Sequence, residues 1–268
     1  MRGSALVAAL ALAGCAAPAA GLRLTQPVVL LGEVHDNAAQ HALRLAAFEA
    51  LLAGGARPAL AMEQFDRDRQ GDIDRARARL PRPDADALIA LAGSPAPGGW
   101  HWDYYRPFVA LALRYDLPLI AANVSRSEAR AVMQGGLAAA GFDAAVPEAL
   151  LREQAADIEA SHCGMLDEAM ARRMALAQVA RDQAMARAIE SQAARGVVLL
   201  AGNGHVRTDI GAPHWLSAAT RQRSEAIGLL EDGDPALPYD RIVRTPPQPR
   251  PDSCDALRVP AAAKRPSP

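Results

Sequence analysis

Cysteine, aromatic residues and lysine are all scarce in this sequence. It contains three cysteines, and aromatic residues make up 4% of the chain. Lys264 is the only lysine, so arginine supplies nearly all of the positive charge. The formal net charge is -1, which argues against a non-specific nucleic-acid binder because such proteins need a basic face. After the N-terminus no segment is long and apolar enough to span a bilayer, which takes ~20 apolar residues.

Three widespread catalytic motifs are also missing from the sequence. It has no nucleophile-elbow serine, no G-x-x-x-x-G-K-[ST] and no H-E-x-x-H. The sequence therefore gives no support to the enzyme classes that use these motifs, which are elbow hydrolases, P-loop enzymes and zincins.

The N-terminus predicts a lipoprotein signal peptide over residues 1–14. Arg2 is followed by a short apolar run and by the lipobox sequence LAGC, which ends at Cys15. We expect cleavage before Cys15 and acylation of this residue, for example with palmitate, which would anchor the chain to a membrane. An ordinary secretory signal with a chance cysteine is the alternative. Alanine follows the cysteine, so we expect an outer-membrane location facing the periplasm. Residues 15–26 are predicted to form a tether.

Cys163 and Cys254 remain after processing. An even pair in an oxidising periplasm favours a disulfide, which would join the C-terminal tail to a helical region. The alternative is that Cys163 is a free thiol or a ligand. Residues 246–268 form the predicted Pro-rich tail.

Short apolar runs alternate with helical patterns between residues 27 and 245. Four of these runs are predicted to be buried strands: residues 27–31, 59–62, 117–122 and 197–201. This alternation indicates an α/β fold with a mostly parallel central sheet flanked by helices. Residues 226–230 and 240–244 are predicted to add edge strands.

A helical subdomain is predicted to be inserted at about residues 147–195. Gly164 divides this stretch into two helices, 148–162 and 165–195. Met170 and Met174 recur at helical spacing. They pack a core or, alternatively, form an apolar wall for a flat ligand such as a porphyrin.

Unusual polar residues follow three of the predicted strands, in the sequences GEVHDN, EQF and GNGH. In a parallel sheet the carboxyl ends of strands meet at one edge, so we expect Glu33, His35, Glu63 and His205 to converge there. Two imidazoles and two carboxylates can bind a divalent metal such as Zn²⁺ or Mn²⁺. They can equally perform acid–base catalysis. The alternative is that they are turn and cap residues.

His162 lies at the predicted break between the two helices of the subdomain. An imidazole there could be an axial ligand of haem iron, since histidine is one of the side chains that hold haem. Capping of the helix end is the other interpretation.

The order and spacing of these motifs resemble the ChaN-like haem-binding lipoproteins. The similar segments are LLGEVHDNAAQH, ALAMEQF, WDYYRPFVALALRYDLPLIAANVSR, HCGML and VVLLAGNGHVRTDIGAPHWL, within residues 27 to 230. The resemblance implies an α/β domain with a helical subdomain, here residues 27–245, and a lipid anchor. It also implies haem binding, often between two chains of a homodimer, and a role in haem or iron uptake.

The resemblance implies a haem-ligating tyrosine in the helical subdomain, but residues 141–195 contain no tyrosine. The candidate ligands are therefore His162, Tyr104 and Tyr105. The same core is similar to erythromycin-esterase-like enzymes and TraB/Tiki-type metalloproteases, in which the matching strand ends form a catalytic or metal site. The alternative function is a periplasmic hydrolase, metal-dependent or histidine-based, acting through the Glu/His quartet.

Overall fold

The computed structural model of the protein describes residues 21–79, 84–93, 100–252 and 254–255. The predicted signal peptide, Cys15, the first residues of the tether and the end of the Pro-rich tail lie outside the described residues. Within the described ranges, no helix is both long enough and apolar enough to cross a lipid bilayer.

Six strands form one sheet in the order β3-β2-β4-β1-β5-β6, and every neighbouring pair runs parallel. The strands are β1 Val28–Leu31, β2 Ala59–Asp66, β3 Leu119–Asn123, β4 Val197–Leu200, β5 Ser224–Glu231 and β6 Arg241–Thr245. The predicted fold class is confirmed. However, β5 is not an edge strand as expected, because it pairs with β1 on one side and with β6 on the other.

Helices cover both faces of the sheet. They are α1 Ala38–Ala53, α2 Gln70–Arg79, α3 Ala85–Ala92, α4 Trp102–Arg114, α5 Arg126–Ala139, α6 Glu148–Ser161, α7 Glu168–Gln192, α8 Asn203–Val206 and α9 Ala218–Arg221. Successive strand residues point to opposite faces. Leu31 therefore joins the core that contains Phe48 of α1 and Phe108 of α4. Its neighbour Leu30 joins the core that contains Met185 and Ile189 of α7.

The helical subdomain consists of α6 and the first half of α7, which form an antiparallel hairpin. Ile158 and Ala171 belong to a small core of their own between these two helices. The second half of α7 packs against the sheet instead. One long helix thus connects the tip of the hairpin with the centre of the molecule.

The C-terminal segment is held at two points. Arg250 pairs with Glu231 at 2.7 Å and with Asp36 at 2.7 Å. Further on, Cys254 forms a disulfide with Cys163, from which it is 91 residues distant in sequence. The segment therefore connects β5 to the turn between α6 and α7.

Candidate functional site

A cleft of about 790 Å³ lies at the carboxyl edge of the sheet. Three of the four residues predicted to converge there, His35, Glu63 and His205, line this cleft. The other polar or charged lining residues are Asp66, Asp68, Arg69, Asn123, Ser125, Arg126, Ser127, Gln178 and Arg181. The volume is in the range of small-molecule sites.

Glu33, the fourth predicted residue, is buried beneath the cleft. One of its oxygens, Oε1, accepts a hydrogen bond from the Tyr105 hydroxyl and lies 2.8 Å from His35 Nδ1. The other, Oε2, contacts the guanidinium of the fully buried Arg44. Burial lowers the pKa of Arg44 to about 10, so this residue remains a cation at neutral pH. Glu33 therefore orients His35 from below and does not face the cleft.

His35 is fixed from several sides but remains accessible. Its side chain is 49% exposed, and its ring contacts the edge of Trp100 at a centroid distance of 5.0 Å. The backbone carbonyl of His35 accepts a hydrogen bond from Nε2 of the buried His41 at 2.9 Å. Because Nδ1 faces Glu33, the proton is expected on Nδ1 and the lone pair on Nε2.

His205 is oriented in the same way by a different carboxylate. Its Nδ1 lies 2.6 Å from Asp182 of α7, and its Nε2 lies 3.6 Å from Glu63 Oε1. Burial opposes the charged imidazolium. The negative charges of Asp182 and Glu63 outweigh this effect and raise the pKa of His205. Burial also opposes ionisation of Glu63, but the charges of His205 and His35 lower its pKa.

Gly202 lets the two histidines and Glu63 come together. Its backbone N–H donates to Glu63 Oε2 at 2.8 Å. A Cβ at this position would lie 3.0 Å from His35 Nε2 and 3.7 Å from Glu63 Oε2. Any larger residue would therefore push the His35 ring away from the floor of the cleft.

The arrangement suits proton transfer better than metal binding. Each imidazole has a buried carboxylate at Nδ1, so both Nε2 atoms are available for acid–base chemistry. A four-ligand metal site would need Glu33, whose oxygens are used by Arg44, Tyr105 and His35. Among the described residues, no group of three or more His, Cys, Asp or Glu side chains is arranged to hold a metal ion.

Sequence reasoning missed Asp182 and the roles of Arg44 and Tyr105. Asp182 could have been noticed, because it shares a helix face with the apolar residues Val179 and Met185, where a carboxylate needs a partner. Arg44 lies on the buried face of α1 in the same way. Neither pattern tells which charged residue is the partner.

The haem-ligand candidates differ in how accessible they are. Tyr105 is fully buried and bonded to Glu33, and burial raises its pKa. Tyr104 stacks on His41 at 4.2 Å. Met174 packs beside the core of the helical hairpin, and Met170 is half-buried on α7.

His162 lies at the tip of the helical hairpin, where it ends α6. Its Nδ1 lies 2.8 Å from the carbonyl oxygen of Ile158, which places the proton on Nδ1 and the lone pair on Nε2. Cys163 follows with a positive φ of 61° and is fixed by the disulfide. Met165, three residues after the histidine, is 59% exposed. The tip therefore carries an imidazole and, three residues further on, an exposed thioether.

These features define an α/β protein with a polar cleft at its sheet edge and a helical hairpin beside it. A family model described as haem-binding uptake, Tiki superfamily, ChaN matches residues 23–216. The chain therefore belongs to the ChaN haem-binding family, as the sequence resemblance implied.

The solved structure of a ChaN protein agrees with this fold. ChaN of Campylobacter jejuni, solved with cofacially bound haem, is similar with a TM-score of 0.66 and 22% identity, over 81% of this chain and 86% of that chain. A mutant erythromycin esterase in its open conformation is similar with a TM-score of 0.46 and 10% identity, over 77% of this chain and 70% of that chain. No curated protein matches the chain.

Proposed function

We propose that this protein binds haem at the tip of its helical hairpin and serves haem or iron uptake. Membership of the ChaN family supports the ligand. The side chain that we assign to the iron is His162, because its Nδ1 faces the Ile158 carbonyl and leaves Nε2 free to ligate. Haem, when bound, would supply the iron atom that the His162 imidazole would ligate.

The surroundings of His162 fit a flat apolar ligand. Met165 is exposed beside it, and Leu166 and Met170 are half-buried close by in sequence. Tyr104 and Tyr105 fit less well. The ring of Tyr104 stacks on His41, and the hydroxyl of Tyr105 donates a hydrogen bond to Glu33. An exposed apolar side chain at the tip, that of Met165, also favours pairing of two chains, so we propose a homodimer in the haem-bound state.

Titration with hemin tests this assignment. The unmodified protein should give a saturable shift of the Soret band at micromolar concentration, and His162→Ala should weaken binding and change the band. His214→Ala removes an exposed histidine away from the hairpin tip and is the matched control. Light scattering with and without hemin measures dimerisation. Equal spectra for the two variants would refute the role of His162, and an absent Soret shift would refute haem binding.

We also propose that Cys15 carries a lipid anchor in the outer membrane, facing the periplasm. The lipobox supports the anchor, and the disulfide of the folded domain suits an oxidising compartment. Cys15→Ser should move the protein from the detergent phase to the aqueous phase after fractionation. An unchanged distribution would contradict the anchor.

A second function is favoured by the paired histidines of the cleft, which suit a histidine-based hydrolase of esters. His35 Nε2 would take a proton from water while the water oxygen bonds to the carbonyl carbon. His205 Nε2 would give its proton to the leaving oxygen as the C–O bond breaks, which releases an acid and an alcohol. His35→Gln, which removes the base, should abolish hydrolysis of para-nitrophenyl acetate, whereas His101→Gln, a control at an exposed histidine, should not. Equal rates in both variants would contradict this function.

A further inference from the structure

We infer that the cleft accepts an anionic substrate, an ester that also carries a carboxylate, and that Arg181 is its specificity-determining residue. This inference rests on the proposed acid–base function of the cleft and adds the class of substrate to it.

Arg181 is an unpaired cation in a protein where other half-buried or buried arginines are paired. Its Nη1 donates to Gln178 at 3.1 Å, and within the described part of the chain it forms no salt bridge. By contrast, Arg67 pairs with Glu128 at 2.6 Å, and Arg221 pairs with Asp240 at 2.8 Å. The charge of Arg181 acts to lower the pKa of the nearby carboxyls of Glu63 and Asp182, but neither of them forms a salt bridge with it, so the guanidinium is suited to bind an anion from solution.

The position of Arg181 connects it with the two histidines. It precedes Asp182 on α7, so the residue that orients His205 and the free cation are neighbours in one rigid helix. Both Arg181 and the two imidazoles line the same cleft. A small ester could therefore present its carbonyl to the histidines while its carboxylate pairs with Arg181.

A second arginine adds positive charge to the cleft, which also contains three carboxylates. Arg126, at the start of α5, is exposed and forms no salt bridge among the described residues. Of the cleft acids, Glu63 is engaged by Gly202 and His205, and Asp66 has a partner of its own. Asp68 is exposed. Arg69 is paired with Asp72 at 2.9 Å and adds little attraction.

The anion site is separate from the proposed haem site. Arg181 lies 13 residues along α7 from Glu168, which corresponds to about 20 Å at ~1.5 Å per residue. Hemin at the hairpin tip should therefore not displace a small anion from the cleft.

The test uses one anion and two esters. Succinate is titrated into the protein by calorimetry, and the rates for mono-para-nitrophenyl succinate and para-nitrophenyl acetate are compared. Arg181→Gln should weaken succinate binding about tenfold or more, since it removes a charge-assisted bidentate contact. It should lower kcat/KM for the succinate ester by a similar factor and lower that for the acetate ester less, because acetate has no carboxylate to pair with Arg181. Arg173→Gln, at an exposed position of the same helix, is the control.

The outcomes separate the two ideas. If succinate binding depends on Arg181 but neither ester is cleaved, the anion site is supported and the hydrolase function is contradicted. If the protein cleaves both esters, and Arg181→Gln lowers the two rates equally or lowers neither, the hydrolase function stands and the inference about Arg181 is overturned. Failure of the unmodified protein to bind succinate would also overturn it. Circular dichroism of each variant controls for misfolding.

Discussion

Replacing Glu33 with glutamine should destabilise the protein strongly, because it leaves a buried cation unpaired. The Arg44 guanidinium is fully buried against the Glu33 carboxylate. Removing one partner of such a pair costs about 3–5 kcal/mol. For a chain of this size about 1 kcal/mol lowers Tm by ~2–4 °C, so the expected loss is about 6–20 °C. Tyr105 and His35 can still donate to the glutamine oxygen, so the loss reports mainly the missing charge.

The double variant Glu33→Gln/Arg44→Met is the control. It removes both charges and keeps a side chain of similar length, so it should recover most of the lost stability. Urea unfolding followed by circular dichroism at neutral pH measures all three proteins. If Glu33→Gln loses less than about 1 kcal/mol, or the double variant is no more stable than the single one, the buried pair is not organised as described.

Three further predictions concern other charged or covalent contacts. Asp182→Asn should lower the pKa of His205, which NMR titration measures. In the unmodified protein the raised pKa stabilises the folded state at pH values below the pKa that His205 has in the unfolded chain. This stabilisation is lost as the pH rises through the pKa of His205 in the folded protein. Hydrogen bonds from Arg250, and also from the Gln248 N–H and Asn37, lower the pKa of Glu231 to about 2, so the stabilisation is present above about 4.5 and is lost as pH falls towards 2. Because solvent screens the partly exposed Arg250, Arg250→Gln should cost about 1 kcal/mol at neutral pH in urea unfolding and less in acid. Cys163→Ser opens a loop of 91 residues and should cost about 4–5 kcal/mol in the chain-entropy model, and reductant should then have no further effect.

The buried strands were predictable because their sequences are short, apolar and bounded by turn residues. VVLL occurs twice, as β1 and as β4, and the two copies pair in register. The interior position of β5 could not be predicted. Strand order depends on how helices cross the sheet, and the residues of a strand show that it is buried without showing its neighbours.

The candidate site was predictable in its location and only partly in its composition. Strand ends meet at one edge, so the sequence indicates that His35, Glu63 and His205 lie near each other. Glu33 differs because side chains alternate along a strand. It continues the face of Leu31, which packs towards α1 and α4, whereas Glu63 continues the face of Ala61, which packs towards α7. The two carboxylates therefore lie on opposite sides of the sheet.

The long helix α7 determines how this protein can be engineered. A single uninterrupted helix carries Met170 near the hairpin tip, Arg181 in the cleft, the buried Asp182 that orients His205, and Ile189 in the core against the sheet. The hairpin is consequently not a module that can be deleted or grafted onto another protein. A cut that removes it within α7 would also take away the support of His205, so the tip is best altered by point substitutions.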